Sequence, residues 1–273
     1  MNLLKKLNDG NEIPMLGIGT WQQTDKEHCV KAIKYALKIG YKHIDTADIY
    51  GNHEFIKDAL KGFTRENIFI TTKLWRDFLD PKLVESECDK ALMQLDLDYL
   101  DLYLVHWPDR TKPLAEISYE MSKLKDKGKV KSIGVSNYTI NHLKDLIHQG
   151  IKIAVNQVEY HPFLNQQELL NFCTKHTIAL TAYSPVARKK VFHDPDIIQI
   201  AKKHSKTPGQ VALRWLIQKD IIAIPKATTE EHIKENLEVY DFSLSVIDME
   251  KIDQIKTLRS ERLINPDFSD FAY

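Results

Sequence analysis

Short apolar runs alternate with longer amphipathic ones along the chain. The short runs are Met15 to Ile18, Lys42 to Ile44, Ile68 to Thr72, Asp101 to Val105, Val130 to Val135, Ile151 to Val155, Ile178 to Ala182 and Ile221 to Ile224. Each is too short for a helix and rich in β-branched or aromatic residues, which predicts eight strands. The segments between them carry apolar residues at helical spacing, as in Val30, Ile33, Ala36 and Leu37, or Val84, Cys88, Ala91, Leu92 and Leu95. Thr24 with Glu27, Asn165 with Glu168, Thr207 with Gln210 and Thr228 with Glu231 have capping-box spacing, and Pro81, Pro195 and Pro208 are expected at first helical positions.

Strands that alternate with helices imply a parallel sheet with right-handed crossovers. No linker divides the chain, so one α/β domain over residues 1–273, a (βα)8 TIM barrel, is preferred to two doubly wound domains. The unit after the seventh strand holds two helical patterns, from Pro195 and from Pro208. A further helix is expected over roughly Val246 to Leu258, which makes two extra helices. Before the first strand, Leu3 to Pro14 reads as a hairpin turning at Asp9-Gly10, placed to plug the barrel bottom.

Charge narrows the partners. Thirty-eight basic residues balance 38 acidic ones, with no basic cluster suited to nucleic acid or an anionic membrane. Cys29, Cys88 and Cys173 have neither CxxC spacing nor a nearby His cluster, so no disulfide framework and no metal site is expected. The first ten residues are too polar for a signal-peptide core and no long apolar run follows, which points to a cytoplasmic protein. A monomer is expected.

Barrel chemistry gathers at the C-terminal ends of the strands. Read in order, these ends offer Thr20 and Trp21, Asp45 and Tyr50, Lys73 and Trp75, His106 and Trp107, Ser136 and Asn137, Gln157 and Glu159, Tyr183 and Ser184, and Lys226. Ionisable groups among aromatic walls describe a pocket for a small organic molecule. No G-x-G-x-x-G follows any strand, so a Rossmann nucleotide site is not expected.

The segments GIGTW, HIDTADIYGN, ITTKLW, DLYLVHWP, IGVSNY, NQVEYHP, TAYSP and IPKATTEEHIKENL carry a resemblance over essentially the whole chain. In that order they resemble the aldo-keto reductase family, and the length and RLINP tail are most similar to its short bacterial branch with 2,5-diketogluconate reductases. The resemblance implies NAD(P)H-dependent reduction of small aldehydes and ketones, keto-sugars and α-dicarbonyls among them. By matching motifs it implies a catalytic tetrad of Asp45, Tyr50, Lys73 and His106, with Trp21, Tyr50, Trp75, His106 and Trp107 around the substrate.

The same resemblance implies NADP(H), with NAD(H) as a second cofactor. Ser136, Asn137 and Gln157 would bind the nicotinamide carboxamide, Tyr183 would stack on its ring and Ser184 would lie near the pyrophosphate. Thr20, Trp21, Asp45, Pro185 and Val186 would add contacts, while Lys226, Ala227, Thr228, His232, Glu235 and Asn236 would hold the adenosine and 2′-phosphate end.

The tetrad types suit carbonyl reduction, because the oxygen gains negative charge and needs a proton and electrostatic stabilisation. Tyr50 would donate the proton. A Lys73 ammonium at about 4 Å would favour its phenolate by roughly 4 kcal/mol at an effective dielectric near 20. Asp45 would keep Lys73 charged at some cost to that effect, and His106 would orient the substrate oxygen.

Some positions depart from the family pattern. Ala227 stands where Ser is usual and His232 where Arg is usual; a histidine is only partly charged at neutral pH, so NADPH preference should weaken. His53 stands where Glu is usual. The tail after Ser260 is short, so an open mouth is expected, and Arg188, Lys189 and Lys190 are expected to meet either an anionic substrate or the cofactor pyrophosphate.

Taken singly, each site residue has a plainer explanation. A strand-end Asp is commonly a helix cap, His161 before Pro162 reads as packing, and Trp215 reads as core. Joint occurrence of the four tetrad types on consecutive strand ends favours function. Two alternatives remain at this level: a cofactor-binding regulatory subunit with slow turnover, and a metal-dependent hydrolase using Asp45, His106 and His161, which lacks an H-x-H or H-E-x-x-H pair.

Overall fold

The computed structural model describes residues 3–273. The hairpin comes first, β1 Leu4–Lys6 pairing antiparallel with β2 Glu12–Pro14. Asn8 Nδ2 donates to the Ile153 carbonyl at 2.8 Å, and Asn11 Nδ2 donates to the Lys131 carbonyl and Ser132 Oγ, both at 3.0 Å. With Leu7 and Ile13 buried, the hairpin is stapled across the barrel bottom as expected.

Eight parallel strands follow: β3 Ile18–Gly19, β4 His43–Asp45, β5 Phe69–Leu74, β6 Leu100–Val105, β7 Val130–Ser136, β8 Val155–Glu159, β9 Ala179–Tyr183 and β10 Ile222–Ala223. Each pairs with its neighbours in chain order, and parallel bridges Leu16 to Ala223 and Gly19 to Lys226 join the last strand to the first. Helices α1 Lys26–Lys38, α2 His53–Leu60, α3 Val84–Leu95, α4 Leu114–Asp126, α5 Ile140–His148 and α6 Gln167–Lys175 each follow a strand. The unit after β9 holds α7 Pro195–His204 and α8 Pro208–Gln218, and after β10 come α9 Glu230–Leu237 and the final α10 Val246–Arg259. Both extra helices are therefore present.

At the barrel centre β6, β7 and β8 approach closely at Gly134. A Cβ there would lie 2.4 Å from the Val155 carbonyl oxygen and 2.7 Å from Leu104 Cδ2, so only glycine fits. Trp215 is fully buried and its Nε1 donates to Asp253 Oδ1 at 3.0 Å, which makes it a core residue with a satisfied polar edge.

Several boundaries differ from the sequence reading. The sixth strand is Val155–Glu159 and not Ile151 to Val155, because Ile151 closes the turn after α5 by donating to the Leu146 carbonyl. That strand turns Asn156, Gln157 and Glu159 into the protein, and its polar residues hid it from a hydrophobic reading. Thr207 and Gln210 form the expected box, and Asp194 and Thr207 precede proline-led helices. The first and ninth helices are capped one residue later than expected, by Asp25 and Thr229. Asn165 does not cap α6; it accepts from the Tyr160 hydroxyl and donates to Asp253. Pro81 opens a turn, and α3 starts only at Val84.

Candidate active site

Asp45 ends β4, and Lys73 lies near the end of the adjacent β5. Lys73 Nζ donates to Asp45 Oδ1 at 2.6 Å and to the Thr46 carbonyl at 2.8 Å, with both side chains sealed from solvent. Asp45 Oδ2 accepts from Gln157 Nε2 at 2.7 Å across the barrel mouth. The Asp45 carbonyl accepts from the backbone and the hydroxyl of Thr20, both at 3.0 Å, which ties β3 to β4 beneath the site.

Tyr50 sits on a 3-10 turn, Asp48–Tyr50, beyond β4. Gly51 ends that turn at φ 65°, a left-handed conformation that glycine adopts without a Cβ penalty. The turn brings the Tyr50 ring back over the mouth, edge to face with His106 at 5.8 Å between centroids. Lys73 Nζ lies 5.2 Å from the Tyr50 ring centre. His106 follows β6 and also packs edge-on against Trp75 at 5.2 Å.

Electrostatics here depart from the sequence expectation. Burial, with Asp45 and Tyr183 adding to it, pushes the Tyr50 phenol well above its ordinary value. Lys73 is held by Asp45 and the Thr46 carbonyl, and burial outweighs any pull it exerts on the phenol. Burial lowers the Lys73 ammonium and Asp45 opposes that change. Burial and the Lys73 charge push His106 well below its ordinary value, so its imidazole is neutral, and its Nδ1 has no partner among the described residues.

Four of the expected cofactor residues, Ser136, Asn137, Gln157 and Tyr183, form one hydrogen-bonded set around this core. Ser136 Oγ donates to the Gln157 carbonyl at 2.9 Å, and Asn137 Nδ2 donates to the His106 carbonyl at 3.0 Å and to Ser136 Oγ at 3.1 Å. Asn137 Oδ1 accepts from the Tyr183 hydroxyl at 2.8 Å, which holds that ring at the end of β9. Asn137 and Ser184 have φ of 65° and 50°, strained values for residues with side chains and a common mark of functional strand ends. Pro185 is buried and Val186 partly so in the turn that follows.

Further round the rim, Lys226 Nζ reaches the Gln22 carbonyl at 3.3 Å, and Ala227 is buried while Thr228 is exposed. His232 is exposed on the first turn of α9, 3.7 Å from Glu235 Oε2, and Asn236 is buried. Glu235 also accepts from the Thr207 hydroxyl, so it is partly engaged within the protein. His53 bridges Gln94 and Thr72, both at 2.9 Å, and stands apart from the tetrad.

The mouth is not open. The tail after α10 crosses it, and Phe268 packs edge-on against Trp75 and Trp107 at 6.0 and 5.5 Å, while Phe271 meets Trp107 at 5.7 Å. Glu159 anchors this tail: its buried carboxylate accepts from the backbone of Leu263 at 2.7 Å, of Ile264 at 2.9 Å, and pairs with His161 at 2.8 Å. His161 is thus a partner of the anchor. Trp21 stays exposed under the Arg188 guanidinium, 5.2 Å away, and Lys190 pairs with Glu261. Sequence reasoning placed Glu159 at a strand end but missed its grip on the tail; the aromatic residues near the C-terminus were the available signal.

Among the described residues, no group of three or more His, Cys, Asp or Glu is placed to hold a metal ion, and no helix is long and apolar enough to cross a membrane. The three cysteines are free and buried.

A family model described as "Aldo/keto reductase family" matches residues 15–257. The chain is 41% identical to glyoxal reductase of Bacillus subtilis over 96% of this chain and 95% of that one. It is 40% identical to glycerol 2-dehydrogenase (NADP(+)) of Saccharomyces cerevisiae, over 97% and 95%. An aldo-keto reductase from a Medee basin deep-sea metagenome library superposes with a TM-score of 0.92 at 39% identity, over 98% of this chain and 100% of that one.

Proposed function

The chain belongs to the aldo/keto reductase family and is an oxidoreductase of carbonyl compounds, and from that premise we propose that it reduces small aldehydes and ketones with Tyr50 as proton donor. The observation that carries this reading is the convergence of Tyr50, His106, Lys73 and Asp45 at one end of the barrel, with Trp75 and Trp107 beside them. α-Dicarbonyls are the first substrate class to examine, since the similar Bacillus subtilis protein is a glyoxal reductase. A place near the 2,5-diketogluconate reductases belongs to the same proposal.

The family uses a nicotinamide cofactor, and the residues at the mouth suit one. Gln157 Oε1 makes no hydrogen bond among the described residues, Tyr183 offers a ring held by Asn137, and Lys226 and the exposed His232 imidazole stand toward the outer rim. NADP(H) is the proposed cofactor, with NAD(H) as a second. A bound reduced nicotinamide supplies the hydride.

The chain's own groups handle the rest. Neutral His106 offers a single ring N–H to orient the carbonyl oxygen. Tyr50, protonated across the neutral range, delivers its proton to that oxygen as charge gathers there. Lys73 supplies positive charge beside the developing phenolate, and Asp45 keeps the ammonium in place. Trp107 and Phe268 exclude water from one side.

The test is optical: NADPH oxidation followed over aldehydes, α-dicarbonyls and keto-acids, with Tyr50→Phe as control. Turnover of several compounds and near-complete loss in the variant are expected. Substantial reductase activity in Tyr50→Phe would remove Tyr50 as the donor.

A further inference from the structure

Arg262 lies at the start of the tail, just before the two residues whose backbone is held by Glu159. Its guanidinium stacks on Phe271 at 3.7 Å, and Phe271 in turn meets Trp107 beside His106. Among the described residues it makes no hydrogen bond or ion pair, and its Nη1 is fully buried without a partner. An arginine commonly meets a carboxylate or phosphate through a two-pronged pair of hydrogen bonds, and leaving a buried donor unmade is costly.

The surrounding charges do not relieve it. Glu159 acts on Arg262 only at a distance, because its carboxylate is already taken by His161 and the two backbone N–H groups. Glu261, the adjacent acidic residue, is paired with Lys190. Arg188, in the loop after β9, stacks over Trp21 and also makes no ion pair among the described residues. Of these two arginines, Arg262 is the one tied through Phe271 to Trp107, the neighbour of His106.

We propose that Arg262 selects carbonyl substrates that carry a carboxylate or phosphate away from the reacting carbon, by gripping that anionic group at the mouth. This rests on the carbonyl-reductase reading above. The anion could instead be the cofactor's pyrophosphate. Contact with Phe271, and through it with Trp107 next to His106, favours the substrate.

The experiment compares a four-carbon aldehyde bearing a terminal carboxylate with butanal, using the full chain, Arg262→Leu and Arg262→Lys. In Arg262→Leu, kcat/KM for the carboxylated aldehyde is expected to fall about 10-fold to 100-fold, mainly through KM. Butanal should stay within about 3-fold, as for a substitution that removes no used contact. Arg262→Lys should recover part of the loss, and NADPH affinity measured by fluorescence quenching should be unchanged. Equal losses on both aldehydes would overturn the proposal in favour of a purely structural Arg262. Weaker NADPH binding with an unchanged substrate ratio would overturn it in favour of the pyrophosphate. Failure of the unaltered protein to reduce either aldehyde, or any carbonyl of the wider panel, would remove the reductase reading itself.

Discussion

Lys73 and Asp45 form an ion pair at 2.6 Å from which solvent is almost completely excluded. Asp45 offsets part of the Lys73 charge, whose remainder still lowers His106, while burial and Asp45 itself set the Tyr50 phenol high.

Breaking that pair should cost more than deleting it. Lys73→Met leaves Asp45 with only Gln157, and a loss of about 3 kcal/mol in unfolding free energy is expected for a stranded buried charge. The double variant Asp45→Asn with Lys73→Met should be more stable than Lys73→Met alone, although both lack activity. Denaturant titration of the unaltered protein, Lys73→Met, Asp45→Asn and the double variant decides it, and simple addition of the two single losses would show that the charges are not coupled.

Tyr50 should remain a proton donor well into alkaline solution. Burial and Asp45 hold its phenol above the ordinary value, so the donating form persists as pH rises. For reduction, kcat/KM should show no fall attributable to Tyr50 between about pH 6 and about pH 9. A descending limb inside that window, lost in Tyr50→Phe, would mean that the phenol is lowered during turnover.

Acid should weaken the fold through His43. This residue is buried beside Phe69 and Thr71, and burial brings its imidazole from 6.5 down to about 4. Because the folded form binds the proton less readily than the unfolded chain, the stability it confers is present above pH 6.5 and is lost as pH falls toward 4. The full contribution is roughly 3 kcal/mol. His43→Gln should flatten the pH dependence of urea unfolding over this interval, whereas an unchanged slope would assign the effect to other groups. His53, His106 and His142 are lowered too and remain in both proteins.

Cofactor choice should respond to His232. It is exposed on the first turn of α9, and its nearest charged neighbour is Glu235 at 3.7 Å. His232→Arg should raise the ratio of kcat/KM for NADPH over NADH by roughly 10-fold, the worth of one charge-assisted phosphate contact. An unchanged ratio would place the 2′-phosphate elsewhere.

Glu159 should control the tail without touching the chemistry. Glu159→Gln puts an N–H group where two backbone donors now point, so residues 263–273 should exchange amide hydrogen faster and KM should rise more than kcat falls. Unaltered exchange in this segment would deny Glu159 that role.

The barrel was legible because its strands and helices differ in period, and the residues expected at strand ends do converge at one mouth. What escaped has local physical causes. The sixth strand carries Asn156, Gln157 and Glu159 inward, so its pattern is not hydrophobic. Adjacent hydroxyl and carboxyl residues, Thr24 and Asp25 or Thr228 and Thr229, compete for one cap, and backbone geometry chooses the second of each. The engagement of Lys73 by Asp45 was anticipated, but its completeness depends on a desolvated distance that spacing does not encode. The tail's path depends on Glu159, some 100 residues upstream.

Glu159 holds the tail by the main-chain N–H groups of Leu263 and Ile264, which any non-proline residue would supply. The mount is therefore indifferent to what it carries. Substitutions among the tail's outward-reaching side chains can retune which molecules enter while the proton donor and its ion pair stay as they are, so selectivity and catalysis in this chain are free to evolve on separate parts of the sequence.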